Sequence, residues 1–154
     1  MTLTNETDRN ADFRAYPGFS DYLACMLQDL QYREMDESCT DEREERDSGT
    51  IYTLTDDTYQ AMFDTYRDFS DQCRDAIAQA VNLVPGEDGL RYASDRYMTH
   101  ERIGSTLWLA QCGSGVGFTD DGDAPCLVTL DAWACSDGLP RDVFFGDDGK
   151  VYLS

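Results

Sequence analysis

Lysine and histidine are almost absent from this sequence. Lys150 is the one lysine and His100 the one histidine among 154 residues. A lone histidine with no Cys or His at ligand spacing, and no Cys-x-x-Cys, argues against a structural zinc. No apolar run approaches the ~20 residues a membrane-spanning helix needs. The Gly-x-Ser-x-Gly elbow of serine hydrolases is missing: in Gly113-Ser114-Gly115 the glycines stand directly beside the serine. A phosphate-binding loop closed by Lys-Ser/Thr is missing too. Paired carboxylates are so numerous that no glycosidase-like pair stands out. These absences lead to the expectation that the protein is not an enzyme and holds no metal and no cofactor.

Acid is what the sequence has in excess. Thirty-one Asp and Glu face twelve basic residues, for a net charge of −19. Such a chain repels DNA, RNA and anionic membranes and is drawn to basic surfaces, most often those of nucleic-acid-binding proteins. A halophile's solvated surface would give the same charge, but six cysteines speak against it. An apolar fraction of 41% with 12% aromatics is that of a globular chain. The length fits one domain. Cys25, Cys39, Cys73, Cys112, Cys126 and Cys135 are an even set, yet the opening MTLTNETDRNADFR is polar throughout and unlike a signal peptide. Reduced thiols in a cytosolic chain are therefore expected.

The stretch Asp56–Val84 organises the rest. Tyr59, Met62, Phe63, Tyr66, Phe69, Cys73, Ile77, Ala80, Val81 and Val84 recur at helical spacing. They predict one amphipathic helix of roughly 40 Å, capped by Thr55 and stopped at Pro85-Gly86. On its opposite face Asp57, Asp64, Asp68, Asp71 and Asp75 form a carboxylate ridge flanked by Arg67 and Arg74. The plain reading is a solvated face. The sharper one is a surface that imitates a phosphate backbone or docks on a basic groove.

The remaining chain divides around this helix. Residues 1–15 read as a mobile leader, and 16–154 as a single α+β domain with a helical part at 18–104 and a β-rich part at 105–154. A helix from Asp21 to about Tyr32 follows the candidate N-cap Ser20. Glu34–Gly49 is a charge run with Glu42, Glu44 and Glu45 at its centre, an exposed loop or a second acidic patch. Leu90–Ile103 suggests a short, poorly patterned helix. Thr106–Cys112, Gly113-Ser114-Gly115 and Val116–Phe118 predict a hairpin. Asp120-Asp121-Gly122-Asp123 lacks the ligand spacing of a calcium loop and reads as an acidic turn. Pro125 should start a helix to about Cys135, with Leu127, Leu130, Trp133 and Ala134 inward. Val143–Leu153 predicts a second hairpin. The expected fold is N-terminal helices packed on a small antiparallel sheet of ββαββ order, with aromatics Trp108, Phe118, Trp133, Phe144, Phe145 and Tyr152 between sheet and helix.

Tyr22-Leu23-Ala24-Cys25, the acid-faced helix, Leu107-Trp108-Leu109 with Gly113, Gly115 and Gly117-Phe118, and Gly146-Asp147-Asp148-Gly149-Lys150-Val151-Tyr152 occur in this order. Together they resemble a family of small acidic proteins carried by bacteriophages and mobile elements. The likeness spans roughly residues 20–154. It implies an accessory protein working in a bacterial host's cytoplasm. The family's first turn carries Arg-Asn-Gly-His, whereas this chain has Gln111-Cys112-Gly113-Ser114, so no functional residue is carried over from there.

Three functions follow as expectations. The first is a non-enzymatic inhibitor of a host nucleic-acid-binding defence complex, of anti-CRISPR or anti-restriction type. It would be a monomer or homodimer that meets a basic protein surface through its acidic residues and binds no nucleic acid itself. The second is a phage structural or assembly protein whose acidity only solubilises it. The third is a small hydrolase, to be recognised by a pocket joining His100 to a carboxylate.

Overall fold

The computed structural model describes residues 6–34, 54–84, 98–136, 143–145 and 150–153. The chain begins with α1 (Glu6–Ala15), a stretch whose sequence shows almost no apolar periodicity. Tertiary contacts hold it instead. Arg9 is buried, its guanidinium lies 4.5 Å from the centre of the Tyr59 ring, and its Nη2 donates to the Leu54 carbonyl at 3.0 Å. The Tyr59 hydroxyl returns a 2.7 Å hydrogen bond to Asp12. Residues 6–15 of the expected leader therefore form a helix with tertiary contacts.

Tyr16-Pro17-Gly18 turns the chain into α2 (Phe19–Glu34). Its buried positions Phe19, Tyr22, Leu23, Met26, Leu27 and Leu30 are the ones the helical period selects. Ser20 lies inside the first turn rather than at the cap. The long amphipathic segment forms α3 (Asp56–Gln72) and α4 (Arg74–Ala80). Thr55 caps α3 as expected, its hydroxyl accepting from the Thr58 N–H at 3.2 Å. The single helix to Val84 is not seen. Cys73, at φ −106° and ψ 21°, breaks it, and helical structure ends at Ala80. Neither proline nor glycine stands at the break. There Trp133 packs on Phe69, with ring centres 5.2 Å apart, and donates from Nε1 to Gln72 Oε1 at 2.9 Å.

The expected first hairpin is overturned. Thr106–Gln111 belongs to α5 (His100–Gln111), which starts at an N-cap, Thr99, whose hydroxyl accepts from Arg102 N–H at 3.1 Å. Gly113 at φ +75° ends it, with Ser114 N–H bonded to the Leu109 carbonyl at 3.2 Å. This is a left-handed helix stop, for which glycine is suited by its missing Cβ. α5 packs extensively on α2, and its backbone meets that of the turn before α2 at two glycines, Gly104 and Gly18. A Cβ on Gly104 would run into the Gly18 carbonyl.

A 3-10 turn (Phe118–Asp120) brings Phe118 into the core against Phe69. Pro125 opens α6 (Pro125–Ser136), as expected, with Leu127, Leu130 and Ala134 buried and Trp133 half-buried. The second hairpin is present as β1 (Val143–Phe145) and β2 (Val151–Leu153), antiparallel with Phe144 opposite Tyr152. Its turn lies outside the described residues. Val151 also bridges Leu54 in parallel and accepts from Thr55 N–H at 3.1 Å.

The α+β class with a ββαββ sheet is thus corrected. Among the described residues there are six α-helices, one 3-10 turn and one short two-stranded ribbon. The core is made mainly by helices: Tyr22, Tyr59, Tyr66, Phe69, Trp108 and Leu130 are buried in one cluster. Trp108 and Phe118 are buried as expected, but in a helical core and not between a sheet and a helix. The expectation fails for Phe144, which is exposed and stacked on Tyr152 at 5.8 Å.

Candidate acidic docking surface

The apolar side of α3 is sealed by Tyr59, Met62, Tyr66 and Phe69, which fixes where its other side points. Asp57, Asp68, Asp71 and Asp75 are exposed and Asp64 half-exposed. Asp57, Asp64, Asp68 and Asp71 therefore share the outward side of α3, and Asp75 is exposed on α4 beyond the break at Cys73. Within α3 the successive spacings from Asp57 to Asp71 are about 10, 6 and 4.5 Å along the axis.

The ridge is partly neutralised from within. Arg67 lies 3.3 Å from Asp64 and 3.6 Å from Asp68, and Arg74 lies 3.7 Å from Asp71. Gln60 also donates to Asp64 at 2.9 Å. All these pairs are solvent-accessible, where an ion pair contributes ~0–1 kcal/mol and is readily exchanged for another cation. The i,i+3 spacing of Asp64–Arg67 and Asp71–Arg74 was the sequence signal for this pairing. Glu42, Glu44 and Glu45, expected to extend the ridge, lie outside the described residues.

Other carboxylates serve the fold. Asp121 is buried in a two-pronged pair with Arg102, whose Nε donates to Oδ2 at 3.2 Å and whose Nη2 donates to Oδ1. Asp120 accepts from Gly117 N–H at 3.0 Å, and Asp131 from Phe118 N–H at 3.0 Å. The segment expected to be an acidic turn thus spends two of its carboxylates on protein partners. Among the described residues no group of three or more His, Cys, Asp or Glu is placed to hold a metal ion.

A cleft of about 410 Å³ runs between the α1–α2 turn and the α3–α4 bend, and Ser70, Asp71 and His100 all line it. This is the pocket with His100 and a carboxylate that a hydrolase would need. No hydrogen bond joins these three side chains among the described residues, and the ion pair of Asp71 is with Arg74. Tyr66, at the same cleft, donates its hydroxyl proton to the Pro17 carbonyl at 2.8 Å. Burial, then the charges of Asp21 and Glu101, push its ionisation far above the usual tyrosine range. It stays a neutral donor.

Of the described thiols, Cys25, Cys73, Cys126 and Cys135 are free. Burial, then Asp29 and Cys112, push Cys25 up to about 11. Burial also raises Cys73 and, against two backbone N–H groups, Cys126. Those three are poor nucleophiles at neutral pH, because the thiolate is the reactive form.

No described helix is long and apolar enough to cross a membrane. No family model, curated protein or solved structure matches the chain, so the acidic surface stands on its geometry alone.

Proposed function

We propose that this protein is a non-enzymatic inhibitor that seats the α3–α4 carboxylate ridge on a basic, nucleic-acid-binding surface of a host defence complex, as anti-CRISPR or anti-restriction proteins of the mimic type would. The observation that carries this reading is the ridge itself. Four aspartates stand on the outer side of α3, whose inner side is locked into an aromatic core, and a fifth is exposed on α4, which buries Ala76 and Ala80. A rigid row of carboxylates can enter Arg and Lys sites that otherwise hold phosphates, through charge-assisted hydrogen bonds. The net charge of −19 adds long-range attraction to such a surface. The resemblance to phage-borne acidic proteins supplies the suggested setting.

The test is capture of partners from bacterial lysate at low and high salt, with wild type and with Asp64→Asn/Asp68→Asn/Asp71→Asn. The wild type is expected to hold a CRISPR, restriction or other DNA-binding complex at low salt and release it at high salt. The triple variant, folded by circular dichroism, should capture at least tenfold less. Undiminished capture by the variant would overturn the mimic reading.

One observation favours a second reading, a structural or assembly protein with a merely solubilising surface. Arg67 and Arg74 already pair with three of the five ridge aspartates. Salt-insensitive capture of virion or assembly proteins would select it.

A further inference from the structure

We draw no further inference here: the strongest candidate, the cleft between the α1–α2 turn and the α3–α4 bend lined by Tyr16, Tyr66, Ser70, Ile77 and His100, has lining residues Asn82 and His100 that flank positions 85–97, outside the described residues, and nothing in the structure shows what covers it.

Discussion

Tyr22 shows how single polar atoms hold this core. Its ring is buried between Tyr66 and Trp108, and its hydroxyl donates to Gln111 Oε1 at 2.6 Å. Gln111 is itself buried, so that acceptor has no water to fall back on. Tyr22→Phe should therefore cost about 1–3 kcal/mol, the penalty of a stranded buried acceptor, measured by urea unfolding. A loss below about 0.5 kcal/mol would mean that Gln111 finds another partner. Asp21, one residue earlier, faces the opposite problem. Burial, then the Glu101 charge, push its carboxyl above the usual range, against its own backbone N–H and the Ser20 hydroxyl. A carboxyl that holds its proton more tightly when folded weakens the fold once ionised, and the penalty fades as pH falls through its raised range. Asp21→Asn should raise Tm at pH 7, and the gain should vanish near pH 3. An equal gain at both values would assign the effect to something other than ionisation. Periodicity alone placed Asp57, Asp64, Asp68, Asp71 and Asp75 away from the apolar stripe, and all but the half-exposed Asp64 are exposed. Periodicity did not show Arg9, because nothing local distinguishes a buried arginine before its aromatic and carbonyl partners are in place.

Elements were legible where their apolar period was long. α2 and α3 follow from it, whereas α6 was signalled by Pro125 and the ribbon by the Gly146-Asp147-Asp148-Gly149 turn sequence between two apolar stretches. α5 was not legible. Thr106, Leu107 and Trp108 read as β-formers, and Gly113-Ser114-Gly115 read as a hairpin turn. Thr99 and Gly113 were in fact the start and stop of a helix, and the buried positions Ile103 and Leu107 are one helical turn apart. Tertiary packing on α2 then outweighed the weak strand preference. The crossing of these helices depends on the absence of a side chain at Gly104. Gly104→Ala would drive a methyl into the Gly18 backbone, which cannot swing aside as a flexible side chain would. A loss of about 1–3 kcal/mol or more is expected, as for overpacking elsewhere, read by thermal or urea denaturation. Wild-type stability would show that α2 and α5 slide apart without penalty.

For the whole molecule, charge acts on folding and on binding with opposite signs. Thirty-one acids against twelve bases repel one another across the surface, so the fold should gain from added salt. Going from about 0.01 M to about 1 M shortens the screening length from roughly 30 Å to roughly 3 Å. Tm should climb over this range while capture of a basic partner weakens. A falling Tm would show that ion pairs such as Arg102–Asp121 outweigh the repulsion. The link between Thr55 and Val151 has a further consequence, for synthesis on the ribosome. The amide entering the acidic helix waits for a carbonyl that is made only after α4, α5, α6 and β1. A nascent chain therefore carries every ridge aspartate, and the α1 contacts to the helix's leading end, long before it has the strand that completes the fastening.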